Sequence, residues 1–215
     1  MTCADGRQAE TILRVATRLF AALGYDGTST SQIAEAAGLD LATVNRAVGG
    51  KRELYLAVMD RAHHAERAAI AAAIAEFTGP GRDAPGSASA VVHGTLDRYL
   101  DFCAENPDVA ALWIHRWLAD AADLTELEGR YAKPLIAMVL DAMAPALAGG
   151  DIDEKVDLPY ALRSVVWCVQ GFATAGMLDE QGRRLGFSDP RTLRRFRAHL
   201  HGMVHRILGL PGDPP

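Results

Sequence analysis

The 215-residue sequence predicts an all-α fold of about nine helices, on three observations. Apolar residues recur at three- and four-residue steps wherever a run is long enough to test. Alternating stretches bounded by paired turn signals, the mark of a β-hairpin, are lacking. Glycine, proline or a capping polar residue separates each periodic run from the next.

The first helix carries Ile12, Val15, Ala16, Leu19, Phe20 and Leu23 on one face and stops at Gly24, a residue type that tolerates the left-handed turn ending a helix. Ser29 can accept from the free amides beyond it and open a short second helix, with Ile33, Ala34 and Ala37 inward and Gly38 closing it. Asp40 caps a third segment over Leu41–Val48, and Gly49-Gly50 breaks it before a long helix from Lys51 to about Phe77. Residues 78–89, rich in Gly, Pro and Ser, read as a linker. Val91 to Glu105 is the next helix, followed by Asn106-Pro107 as cap and first-turn proline, with Trp113, Trp117 and Leu118 on one face beyond. Thr125 and Glu128 have capping-box spacing ahead of Leu135, Met138, Val139 and Leu140, and Pro134 should kink that helix if it lies inside. An acidic loop spans 149–157, a helix runs from Pro159 to Leu178, and Asp189-Pro190 opens the last helix through Leu193, Phe196, Leu200, Val204 and Ile207. No internal repeat occurs.

Composition narrows the function classes. With 49% hydrophobic residues the chain can build a core, which excludes intrinsic disorder. The longest apolar run, Ala68 to Ala75, is far short of the ~18 residues of a membrane span, so no membrane role is expected. The N-terminus has no charged-then-apolar signal pattern, and cysteines at 3, 103 and 168 make neither a disulfide framework nor a zinc cluster, so the cytoplasm is the expected compartment. Net charge is −5, with 22 Lys+Arg against 27 Asp+Glu, so any nucleic-acid contact must come from a local patch.

Ala34, Gly38 and Val44 supply such a place. At offsets of four and ten, the alanine lets two helices cross closely, the glycine takes the tight turn and the valine anchors the second helix, the geometry of a helix-turn-helix. An amphipathic helix precedes it and a long helix follows a glycine break. With these features on Ile12 to about Met59, the sequence resembles the TetR family of bacterial transcriptional regulators. The resemblance implies a helix-turn-helix DNA-binding domain over 1–50 and an all-helical effector-binding and dimerisation domain over 51–215, joined by the helix from Lys51. By position it also implies phosphate contacts at Thr28, Ser29 and Lys51 and a recognition helix presenting Leu41, Ala42, Thr43, Asn45 and Arg46. The family usually has Ser at Asp40, Tyr at Asn45, an aromatic or His at Ala47 and Phe at Val48, so two common backbone contacts are replaced here. Read without the resemblance, Thr28 and Ser29 can equally be caps, and Arg46, Lys51 and Arg52 a solvated patch.

In the second half, apolar residues cover most of the circumference of Tyr160 to Leu178, and Gly171 and Ala175, one turn apart, would let a second helix approach. With Phe196 and Leu200 on the amphipathic last helix they form the expected dimer interface, a four-helix bundle made by two subunits, the alternative being a helix buried within one monomer. Trp113, Trp117, Tyr131, Met138, Trp167 and Gln170 are candidates for an effector cavity suited to an apolar or aromatic small molecule, with core packing the alternative for each. His201 and His205 are four apart with no third ligand in sequence, which surface histidines explain as well, so no metal site and no cofactor are expected. No nucleophile elbow, phosphate loop or His-Glu-x-x-His motif occurs. The expected function is a ligand-responsive, sequence-specific regulator, a repressor released from a palindromic operator on double-stranded DNA, acting as a homodimer; the alternative is a small-molecule-processing enzyme on a helical scaffold.

Overall fold

The computed structural model describes residues 3–78 and 87–215; most of the stretch read as a linker, 79–86, lies outside the described residues. The described chain has nine α-helices: α1 (Cys3–Leu23), α2 (Thr30–Ala37), α3 (Leu41–Val48), α4 (Lys51–Thr78), α5 (Ala88–Glu105), α6 (Pro107–Trp117), α7 (Lys133–Ala148), α8 (Leu158–Ala175) and α9 (Pro190–Leu208). They group into two compact units, residues 1–64 with 108–125 and residues 65–107 with 126–215.

In the first unit α1 packs on α2 and α3. Ile12, Ala16 and Phe20 of α1, Ile33 and Ala34 of α2, Val44 of α3 and Leu54, Tyr55 and Val58 of α4 form its core. Phe20 meets Tyr55 edge-on with ring centres 5.0 Å apart, and Tyr25 meets Tyr55 at 4.8 Å, the offset geometry that aromatic quadrupoles favour.

In the second unit α8 and α9 pack on α5 and on each other, while α7 lies against α5 and α8. Its centre is Val92, Leu96, Tyr99 and Leu100 of α5, Val169 and Phe172 of α8, and Leu200, Val204 and Leu208 of α9. Phe172 and Phe196 stack with ring centres 3.9 Å apart. Burial pushes the Cys103 thiol up to about 12, with the Glu66 carboxylate adding to the shift, so this cysteine stays protonated in the core.

Four details depart from the sequence reading. A two-residue hairpin, β1 (Met177–Leu178) paired antiparallel with β2 (Arg184–Leu185), follows α8, because Gly176 at φ +60° ends the helix there. Strands of two residues are too short for alternation to register. In place of a capping box at Thr125 and Glu128, a π-helical turn over Glu128–Ala132 runs straight into α7. Pro134 is the second residue of α7 and so lies inside this continuous helical segment. The continuous segment Glu128–Ala148 is thereby the one helix among the described residues long and apolar enough to cross a membrane, although its apolar residues are interrupted and no run approached that length. Lastly, His201 and His205, read as surface residues, are buried.

Candidate nucleic-acid interface

The turn between α1 and α2 is built by hydrogen bonds that sequence spacing alone does not display. Gly24 takes φ +76°, and a β-carbon there would stand 3.0 Å from Asp120 Oδ1. That close approach lets the Asp120 carboxylate accept from the amides of Tyr25 at 2.6 Å and Asp26 at 2.8 Å. Asp120 sits between Ala119 and Ala121, both in the left-handed region at φ 64° and 53°. A non-glycine residue in that region costs of order 1–3 kcal/mol. Arg116 offsets the strain by donating to the carbonyls of Asp120 and Ala121 at 2.6 and 2.5 Å and of Leu124 at 3.3 Å. The His115 ring also lies 3.1 Å from the Ala21 carbonyl, so the α6 end is fixed to the α1 end within this unit.

The two helices of the motif are capped reciprocally. Ser29 Oγ accepts from the Gln32 amide at 3.2 Å while Gln32 Oε1 accepts from the Ser29 amide at 2.7 Å, a capping box with glutamine as the returning partner. Gly38 closes α2 in the left-handed conformation, its amide bonding back to α2 carbonyls. Asp40 then caps α3, accepting from the Thr43 amide and the Thr43 hydroxyl, each at 2.8 Å. Those two bonds hold its carboxyl below the usual carboxylate range. The negative residue that departs from the family's serine is therefore engaged as a helix cap.

The structure distributes the sequence-predicted residues as follows. Leu41, Ala42, Asn45 and Arg46 are exposed on α3, and Thr43 is half-buried. Arg46 Nη2 donates to Thr43 Oγ1 at 3.2 Å, so Asp40, Thr43 and Arg46 form one hydrogen-bonded line along the exposed side of the helix. Val44 points the other way into the core. Thr28 is buried, its hydroxyl donating to the Gly24 carbonyl at 2.7 Å, whereas Ser29 remains exposed at the α2 N-terminus. Lys51 places its ammonium 4.3 Å from the centre of the Tyr25 ring, which fixes a long flexible cation at the start of α4. The Glu53 carboxylate accepts from the Gly50 amide at 3.0 Å and caps the same end. Asp120, Arg116 and Tyr25 are the framework residues that sequence reasoning missed; neither spacing nor composition marks a contact across 95 positions.

Of the other predicted residues, Trp113 is buried and Trp117 exposed in the first unit. Tyr131 and Gln170 are buried in the second, Met138 is half-buried and Trp167 is half exposed. Gln170 Nε2 donates to the Tyr99 hydroxyl at 3.2 Å, and its Oε1 is buried without a hydrogen-bond partner. Leu200 is fully buried, Phe196 is held by its stack on Phe172, Ala175 is exposed, and Gly171 is half-buried, with no described atom outside its own helix within 4 Å of a β-carbon placed on it.

The first unit thus carries the exposed Asp40–Thr43–Arg46 line on α3, the capped α2 terminus and the Lys51 cation at the α4 start. Residues 12–58 match the family described as bacterial regulatory proteins, tetR family. A comparison with curated proteins found no match. Among solved structures, the chain is similar to a bacterial regulatory protein in the tetR family from Rhodococcus RHA1 (TM-score 0.68, 21% identity, 95% of this chain and 98% of that one). It is similar also to HlyIIR, a hemolysin II transcriptional regulator (0.66, 18%, 97% and 99%), and to the ketosteroid transcriptional regulator KstR2 of Mycobacterium tuberculosis (0.64, 14%, 97% and 96%). The family match thus falls on residues 12–58, within the unit just described, and the all-helical fold is shared with these structures along nearly the whole length.

Proposed function

We propose that this protein is a ligand-responsive, sequence-specific regulator, a cytoplasmic homodimeric repressor that leaves a palindromic operator when a small molecule binds. The observation that carries the reading is the exposed Asn45 and Arg46 face of α3, held on a buried frame by Val44 and capped at both ends. In this reading α3 enters the major groove, Arg46 and Asn45 meet base edges, and Ser29 and Lys51 meet phosphates.

Homodimerisation is supported by α8. Tyr160 at 68% and Trp167 at 50% exposure share one face with Gly171 and Ala175, and among the described residues nothing beyond its own helix backbone and chain neighbours lies within 4 Å of a β-carbon built on Gly171. An aromatic and small-residue stripe left open in a single chain suits a second copy of the same helix. The effector is proposed to bind the second unit near Tyr131 and Gln170, where the unpaired Gln170 Oε1 would accept from a donor group on an otherwise apolar molecule. Footprinting on the DNA around the protein's own coding region tests the proposal. A protected pseudo-palindrome, lost when effector is added, is the expected result; absence of protection on any fragment would remove the regulatory reading.

A further inference from the structure

Two stripes at four-residue spacing face each other in the second unit: His93, Asp97 and Asp101 on α5, and Arg197, His201 and His205 on α9. They form one continuous ladder. Arg197 donates to Asp101 and, at 2.5 Å, to Asp97 Oδ1. The same Asp97 oxygen lies 2.9 Å from His201 Nε2. His201 Nδ1 is 2.8 Å from His93 Nδ1, His93 Nε2 is 3.2 Å from His205 Nδ1, and His205 Nε2 is 2.8 Å from the Gly212 carbonyl. All three rings are 5% exposed, so no ring nitrogen turns to water instead.

Counting protons along this ladder gives a definite charge. From Asp97 to Gly212 there are four links, and each needs one proton. Both end groups only accept: Gly212 offers a carbonyl, and the Asp97 oxygen already accepts from the Arg197 guanidinium. All four protons must therefore sit on the three rings, and three neutral imidazoles carry only three.

We infer that the His93–His201–His205 cluster is a binding site for one extra proton, shared as a net single positive charge, and that this proton fastens the C-terminal segment at Gly212 to α5 and α9. With the extra proton on His201, its Nε2–H meets the Asp97 carboxylate and its Nδ1–H meets His93. His93 and His205 are then neutral, each accepting at Nδ1 and donating from Nε2. The ladder reads Asp101 negative, Arg197 positive, Asp97 negative, His201 positive, which balances within the unit. The groups acting on His93 are His201, His205 and Asp97; burial, followed by repulsion from either neighbouring ring when it carries charge, pushes the His93 pKa down to about 4, as a neutral middle ring requires.

Removing the proton leaves three hydrogens for four links. A gap between two buried rings would set lone pair against lone pair, whereas successive tautomer shifts through His93 and His205 move the gap to the Gly212 carbonyl. Gly212 is exposed and can turn to water, so that link opens first. A metal ion does not account for the arrangement: the nitrogens pair in series, and among the described residues no group of three could hold one.

Long-range proton–nitrogen spectra of the full-length protein labelled at histidine nitrogens count the ring protons directly. The expected result at pH 7 is four N–H protons on these three rings, with one ring protonated at both nitrogens. Three protons at pH 7, all rings neutral, would overturn the inference on the wild-type protein alone. Asp97→Asn should then move loss of the fourth proton to lower pH by about 1 to 3 units, the effect of removing an adjacent opposite charge; no movement would contradict the pairing with His201. The Leu210 amide, bonded to the His205 carbonyl at 3.1 Å, reports on the tail. Its hydrogen exchange should accelerate as the proton leaves, and exchange indifferent to that step would contradict the fastening of the tail.

Discussion

Arg46 and Lys51 are both cations of the candidate interface, yet their settings assign them different work. Arg46 is exposed on α3 and tethered to Thr43, which aims its planar fork across the helix face, while Lys51 is a point charge parked over Tyr25. Lys51→Ala should weaken binding to every DNA sequence and reduce the salt dependence by about one phosphate contact. Arg46→Ala should in addition relax preference at one operator position, typically by about 1–3 kcal/mol of discrimination. Titrations of operator and scrambled DNA at several salt concentrations separate the two; equal losses on both DNAs for Arg46→Ala would remove its base contact. A pH effect belongs at the same scale. The His93 pKa is held near 4 in the folded chain against an ordinary 6.5, so protons favour the unfolded state between those values. Stability from the neutral ring is fully present above about pH 6.5 and is lost as pH falls through about 4. Denaturation midpoints measured from pH 7 to pH 4 should fall less steeply in His93→Gln than in wild type.

At the scale of elements, the loop after α6 and the open face of α8 each make a prediction. Asp120→Ala removes the acceptor for two amides of the α1–α2 turn while leaving the strained alanines on either side, so the turn should loosen. Hydrogen exchange at Tyr25 and Asp26 should rise and binding to all DNA sequences should fall together; unchanged exchange would mean the turn stands without the carboxylate. A β-carbon at Gly171 meets nothing among the described residues beyond its own helix, so in Gly171→Leu the isolated fold should keep its thermal stability. Sedimentation should nevertheless show dissociation, because a large residue at a close helix crossing typically costs about 1–3 kcal/mol. A variant that stays dimeric would place the interface elsewhere.

The helix-turn-helix was legible in sequence because its determinants are local: Ser29, Gly38, Asp40 and Val44 act through neighbours three to six residues away. So were the amphipathic α1 and α9. The Asp120 contacts and the His93 partnership were not, since they join residues about a hundred positions apart and depend on which helix faces which. His201 and His205 stood out at four-residue spacing, but only the facing stripe of His93 and Asp97 turns a pair of surface candidates into a buried ladder. The effector candidates Trp113, Trp117, Tyr131, Met138, Trp167 and Gln170 separate between two units and between core and surface, because aromatic residues mark packing in every helical protein and their spacing carries no address.

For the molecule as a whole, regulation requires that effector and DNA prefer different conformations. Coupling of about 1 to 3 kcal/mol, or roughly 5- to 150-fold in affinity, is typical, and linkage requires operator DNA to weaken effector binding by the same factor. A two-fold protein reading a two-fold site would hold its recognition helices roughly 34 to 36 Å apart or a multiple of it. Selection of genomic fragments by the purified protein at physiological salt, followed by footprinting of those enriched, tests this most directly. The account predicts enrichment of fragments sharing one pseudo-palindrome, its half-sites protected on a single face of the duplex and its central bases open to cleavage. Fragments enriched without any common sequence, or protection of a single half-site with no symmetric partner, would contradict it.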